Sequence, residues 1–258
     1  MYLHNLNPVA VEFFNLKIYW YSLAYIFGFL FCLYYSKYLV RKRMLNLDIN
    51  LVEDFITWSI LAVLIGGRCG YIFFYNLEFY LINPVQMIQI WKGGMSFHGG
   101  LIGLIVLMFF YSSSKKIEFS ELANLVAYTC PVGIFLGRTA NFINGELIGR
   151  PTNGSWGVLY PPENIARYPS QIFEAFFEGI VLFIILNLFL RSNLKRKFQG
   201  FAVFLIFYSL FRFNLEFFRE PDHHLGFILY NLSMGQILTI PMFVFGLIFL
   251  RYGKKFKN

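Results

Sequence analysis

The amino-acid sequence predicts an all-α integral membrane protein of about seven transmembrane helices with a small outer cap, folded as a single domain over residues 1–258. Three observations predict it. The 258 residues are 57% hydrophobic and only 14% charged, against about 25% charged in soluble domains. Mean hydropathy is +0.56, and a water-soluble globule of this size cannot hide that much apolar surface, because surface shrinks too slowly with mass. Finally, basic residues cluster just after apolar runs: Arg41, Lys42, Arg43; Lys115, Lys116; Arg191, Lys195, Arg196, Lys197; and Arg251, Lys254, Lys255, Lys257. Cytoplasmic loops are enriched in Lys and Arg. The net charge of +8 therefore reads as topology, and no aromatic-interleaved basic groove for nucleic acid is present. A soluble enzyme, a disordered chain and a disulfide-stapled secreted module are excluded.

The apolar run at 17–38 opens with Trp20, Tyr21 and Tyr25, either an interfacial belt or, for Tyr21, an inward-pointing side chain. It continues into a basic stop, so it is expected to remain as an anchor. Runs at 55–75 and 94–111 carry Gly66, Gly70, Gly99 and Gly103, spaced four apart as in closely packed helices. A phosphate-binding glycine loop would need a preceding strand, and no strand pattern is visible. The run at 118–137 is the weakest, opened by Glu118 and Glu121 and closed by Arg138. Residues 138–169 form the longest non-apolar stretch, the cap. Runs at 170–190, 200–218 and 233–250 complete the set. Alternation then puts all four basic clusters on one side, with the N-terminus outside and the C-terminus inside. Cys32, Cys69 and Cys130, odd in number and in apolar stretches, read as small buried hydrophobes.

A charge at a helix centre in the membrane costs about 2.5–3.5 kcal/mol, so charges in or beside the apolar runs are candidates for function. Foremost are Arg68, Arg138, Glu146, Arg212 and Glu216. Tyr208, Arg212 and Glu216 recur every four residues and share a helix face. Arg138 and Asn141 stand at i and i+3, with Asn144, Glu146 and Asn153 following. Two arginines near the outer interface suit a phosphate, which guanidinium binds bidentately. The ligand implied is a phospholipid head group. His98, flanked by glycines in Gly93–Gly100, is either a structural histidine bonded to a carbonyl or a base at the membrane surface. His4 reads as an inert tail residue, and Asp222, His223 and His224 lack further ligands at metal-site spacing. Ser170 lacks a nucleophile elbow and follows Pro169, as at a helix start.

The run GRTANFINGELIGR, Gly137–Arg150, resembles the signature of bacterial prolipoprotein diacylglyceryl transferases. Trp20-Tyr21, Gly66-Gly67-Arg68, GGMSFHGGLIG from Gly93, Pro169-Ser170-Gln171, RFNLEFFREPD from Arg212 and SMGQILTIPM from Ser233 match in the same order. The resemblance covers nearly the whole chain. It implies a multi-pass enzyme of the bacterial plasma (inner) membrane with a periplasmic-side cap. Such an enzyme moves the diacylglyceryl group of phosphatidylglycerol to the lipobox cysteine of a prolipoprotein signal peptide and releases glycerol phosphate. It also implies that Tyr21, His98, Arg138, Asn141, Glu146, Gly149, Tyr208, Arg212 and Glu216 serve the activity, with Arg138 the main lipid-binding candidate. Tyr168 stands where the family often has histidine, and Ala140 replaces a usual glycine. The 150–168 segment is shorter than in many relatives, a trimmed cap.

On this reading His98, Arg138, Arg212 and Tyr21 are catalytic. Substrate binding falls to Arg138, Asn141, Glu146, Gly149, Tyr208, Glu216 and Arg68, with Glu146 and Glu216 holding the arginines in place. No metal, cofactor or nucleic-acid partner is implied. A thiol of pKa near 8.5 is only a few per cent thiolate at neutral pH, so His98 is the first candidate base; an arginine-assisted route without a base stays open. The rival classes are an anion transporter, disfavoured by the missing internal repeat, and a non-catalytic lipid-binding scaffold, which leaves His98 without a role.

Overall fold

The computed structural model describes residues 1–14, 16–191, 197–221, 227–229 and 232–253. Asp222, His223 and His224, and the basic residues Lys195, Arg196, Lys254, Lys255 and Lys257, lie outside the described residues. The chain forms α1 (Trp20–Arg41), α2 (Ile49–Tyr75), α3 (Leu77–Ile82), α4 (Phe97–Lys115) and α5 (Phe119–Asn144). Next, α6 (Ser170–Glu174) continues through a π turn (Ala175–Val181) into α7 (Leu182–Leu190), followed by α8 (Gln199–Leu215) and α9 (Met234–Tyr252). Among the described residues, six helices are long and apolar enough to cross a membrane: α1, α2, α4, α5, the rod Ser170–Leu190 and α9. The shorter apolar helix α8 has 17 residues. The chain is thus a multi-pass, mainly helical membrane protein. Its helices divide between two compact units, Ser36–Ala123 and Met1–Tyr35 with Asn124–Asn258.

In the unit Ser36–Ala123, α2 and α4 meet on the four glycines, bearing out the packing reading. A Cβ on Gly99 would lie 2.4 Å from the Gly66 carbonyl oxygen, and one on Gly103 would lie 2.3 Å from that of Ala62. Only hydrogen fits there, so the backbones touch. Between these helices the chain runs through α3 and two 3-10 turns, Pro84–Ile88 and Ile90–Lys92. Ser96 caps α4 by accepting from Gly99 N at 3.2 Å, as N-cap serines do.

In the other unit, α5 is the most buried of the six long helices, at 56% of its apolar window. It looked weak in sequence because much of its surface meets protein instead of lipid. Gly179 in the π turn takes its backbone up to Phe135: an added Cβ would sit 2.6 Å from Phe135 Cβ. That close approach sets the level at which α5 faces α6 and the π turn. Tyr21 and Tyr25 lie on the exposed start of α1, rings 5.4 Å apart.

The expectation of no strands is corrected. A three-stranded sheet joins β1 (Tyr2–Leu3), β4 (Val158–Leu159) and β5 (Ala166–Arg167), with β1 parallel to β4 and β4 antiparallel to β5. Antiparallel pairs join β2 (Val9–Phe13) with β3 (Leu16–Tyr19), and β6 (Phe227–Leu229) with β7 (Leu232–Ser233). Strands of two to five residues are too short to show a period of two. His4, expected to be inert, is not: its Nε2 donates to the Phe142 carbonyl at 2.7 Å and its ring lies 5.0 Å from Tyr160. Cys69 is exposed on α2, not buried.

Candidate active site

The site grows from the end of α5. Gly145 takes φ +68°, and Glu146 N donates to Asn141 O at 3.0 Å while Gly145 N donates to Phe142 O at 3.1 Å. This paired pattern with a left-handed glycine is a Schellman ending. It folds Glu146 back onto the helix, where its carboxylate accepts from Asn141 Nδ2 at 3.1 Å and Asn144 Nδ2 at 3.3 Å. The spacing Asn-x-x-Asn-Gly-Glu is therefore a turn that closes on itself. Fully buried Gln171 on α6 donates from Nε2 to Glu146 O at 2.6 Å and receives the Tyr160 hydroxyl at 3.4 Å. Burial pushes the Tyr160 phenol up, which keeps it a donor.

One turn before Asn141, Arg138 reaches a cluster of three guanidinium groups and three carboxylates. Its Nε lies 2.9 Å from Glu174 Oε2 and its Nη2 3.5 Å from Glu178 Oε2. Arg212 Nη1 donates to Glu174 Oε1 at 2.8 Å and lies 3.6 Å from Glu178 Oε1, while its Nη2 lies 2.6 Å from Glu216 Oε2. Arg219 Nη1 meets Glu174 Oε1 at 3.5 Å. Glu174 and Glu178 are wholly buried. Glu174 ends α6 and Glu178 lies in the π turn that follows, an irregularity found often at functional sites. The formal charges, three positive and three negative, cancel, as groups of this kind in an apolar surrounding require.

Among the sequence-derived candidates, the structure brings Arg138, Arg212 and Glu216 into one cluster. Tyr208 stands one turn before Arg212, its ring stacked on Phe204 at 5.3 Å. Asn141 and Glu146 form the adjoining pair. The expectation that Glu146 holds an arginine is corrected: it is held by the two asparagine amides, and Glu174 is the carboxylate that grips Arg138. Gly149 is a backbone junction. A Cβ there would lie 2.1 Å from Tyr168 O and 2.9 Å from Phe218 O, where Arg150 N donates to Phe218 O at 2.9 Å and Tyr168 N to Arg150 O at 3.0 Å. Its requirement in this structure is for space.

His98 and Arg68 belong to the unit Ser36–Ala123. His98 is the second residue of α4, exposed, with its ring 5.7 Å from Phe97; among the described residues no carbonyl holds it. Arg68 is buried, and its five donors go to five carbonyls: Nε to Met87 at 2.8 Å, Nη1 to Gly93 at 2.6 Å and Gly94 at 2.9 Å, Nη2 to Gln86 at 2.5 Å and Gln89 at 3.4 Å. A guanidinium has five N–H groups, so in this structure all of them hold the 84–94 segment.

Glu174, Glu178, Arg219 and Gln171 escaped the sequence reading. The signal for the first two was present. They are carboxylates four residues apart inside the apolar run 170–190, subject to the same membrane cost that singled out Arg212.

The model of the family described as prolipoprotein diacylglyceryl transferase matches residues 8–252. Curated relatives called phosphatidylglycerol–prolipoprotein diacylglyceryl transferase are 44% identical. The protein from Rickettsia canadensis aligns over 245 residues, 94% of this chain and 95% of its own length. Those of Rickettsia bellii and Rickettsia typhi align over 246 and 249 residues, again at least 94% of both chains. With a match of that extent, over a chain that carries the signature turn one helical turn beyond a buried arginine of the cluster, the chain belongs to the prolipoprotein diacylglyceryl transferase family.

Proposed function

We propose that this protein transfers the diacylglyceryl group of phosphatidylglycerol to the lipobox cysteine thiol of a prolipoprotein, the first step of lipoprotein maturation. The observation that carries the reading is the state of Arg138. It is the most accessible arginine of the cluster, at 18% of its side chain, and among the described residues its Nη1 has no hydrogen-bond partner. Arg138 is thus anchored on one edge and open on the other, as a phosphate-binding guanidinium must be. Arg212, anchored to three carboxylates, stands behind it.

The phosphodiester of the lipid carries one negative charge. As the thiol sulfur bonds to the glyceryl carbon, the carbon–oxygen bond breaks and its electron pair passes to the phosphate, which leaves as glycerol phosphate with a second charge. Arg138 and Arg212, held in advance by Glu174, Glu178 and Glu216, stabilise that growing charge. Asn141 and Tyr208 orient the head group, and Glu146 holds Asn141. The thiol proton goes to His98 at the start of α4, giving the thiolate that attacks. Tyr21, at the start of α1, is the remaining residue assigned to catalysis. The protein lies in the bacterial inner membrane with its N-terminus outside, its C-terminus in the cytoplasm and residues 138–169 as the outer cap, working as one transferase domain.

Purified protein in detergent, incubated with phosphatidylglycerol and a lipobox peptide, is expected to add a diacylglyceryl mass to the peptide by mass spectrometry. The increment should vanish when the peptide cysteine is replaced by serine. No increment under conditions where a Rickettsia relative yields one would overturn the proposal.

A further inference from the structure

We infer that Ser233 is a positioning residue for Arg212, acting through Glu216. The inference rests on the role proposed above for Arg212. Ser233 lies 17 residues beyond Glu216 in sequence, yet its buried hydroxyl donates to Glu216 Oε1 at 2.9 Å. The Ser233 Oγ in turn accepts from Gln236 N at 3.3 Å, a dual use that a hydroxyl allows. The other Glu216 oxygen, Oε2, lies 2.6 Å from Arg212 Nη2. One carboxylate is therefore gripped on one side by the cap of α9 and grips the arginine on the other.

The start of α9 is shaped for that carboxylate. A Cβ on Gly235 would lie 2.9–3.1 Å from the Glu216 carboxylate atoms, so the group rests directly against the first turn. Negative charge is favoured at a helix N-terminus. Gln236 completes the capping box by accepting from Ser233 N at 3.1 Å, and its Nε2 reaches across to Phe213 O on α8 at 3.3 Å. The capping box thus joins the first turn of α9 to the last turn of α8, where Arg212 and Glu216 sit. Without the Ser233 hydroxyl, Glu216 loses the donor that fixes its rotation, while Arg212 keeps Glu174. The guanidinium stays in the cluster with a less defined direction.

The test uses the full chain in detergent with phosphatidylglycerol and a lipobox peptide. Ser233→Ala is expected to lower kcat by about tenfold with KM for the lipid changed by less than about threefold, the pattern of an interaction made in the transition state. Ser233→Thr, which keeps the hydroxyl and the cap, is expected to recover activity to within about threefold of the parent. An alanine variant with parental kcat, or a threonine variant as impaired as alanine, would overturn the inference. A second readout does not depend on activity. In thermal unfolding, Ser233→Ala and Glu216→Ala are expected to be less than additive, since they delete the two ends of one bond; additive losses would overturn the Ser233–Glu216 link itself. Full activity in Arg212→Lys would overturn the role of Arg212, leaving the link to be decided by the unfolding cycle.

Discussion

Glu174→Gln removes one charge from the centre of the cluster while keeping the shape of the side chain. Glu174 is wholly buried and meets Arg138 at 2.9 Å, Arg212 at 2.8 Å and Arg219 at 3.5 Å. At an effective dielectric of about 20, each of the two short contacts is worth about 6 kcal/mol before desolvation. Most of that offsets the burial of the ions. Removing one member of a buried pair nevertheless costs about 3–5 kcal/mol, because its partners stay buried and uncompensated. Three arginines would then share the two carboxylates Glu178 and Glu216. The thermal midpoint in detergent is expected to fall by roughly 10 °C. Activity should fall by about 100-fold, the scale of a displacement near 1 Å in a positioning group. Glu178→Gln is the internal control. Its contacts are longer, 3.5 Å to Arg138 and 3.6 Å to Arg212, so its loss is expected to be smaller than that of Glu174. The assay pairs initial rates of peptide modification with a thermal melt of each variant. A Glu174→Gln protein that melts with the parent and keeps activity within about threefold would refute the electrostatic reasoning, as would Glu178→Gln being the more damaging change.

Arg68→Ala should free the five carbonyls it gathers, speeding hydrogen exchange across residues 84–94 while KM for the lipid stays within about twofold; a large rise in KM with unchanged exchange would return Arg68 to the binding site. Gly149→Ala forces a methyl group to within 2.1 Å of the Tyr168 carbonyl oxygen, and a destabilisation of about 3 kcal/mol is expected from overpacking. An alanine variant that melts with the parent would contradict that. His98→Gln should cost about 100-fold in rate between roughly pH 6 and pH 9 if His98 takes the thiol proton. Activity retained across that range would leave the arginine-assisted route in its place.

Much of the fold was legible because lipid imposes a coarse rule: a spanning segment must be long, apolar and helical. The glycine ladder at Gly66, Gly70, Gly99 and Gly103 was readable for the same reason, since spacing alone puts small residues on one helix face. Arg138, Arg212 and Glu216 were visible as charges where charge is expensive. Glu174 and Glu178 carried the same signal and were passed over, because an apolar run interrupted twice still reads as a span. Gly149 and Arg68 were noticed for their type, but their roles depend on which backbone atoms surround them. No spacing rule announces that five carbonyls converge on one guanidinium.

The sequence by itself determined the solvent, the helical class and the residue types available for chemistry, because hydropathy and charge are properties of each segment that survive without knowing its neighbours. The tertiary structure alone decided who neutralises whom. Glu174, not Glu146, grips Arg138; Ser233 reaches Glu216; the terminal strand β1 is stitched to β4. Those pairings join residues 17 to more than 150 positions apart, and their energies fall off over a few ångströms, so they exist only once packing has brought these segments into contact.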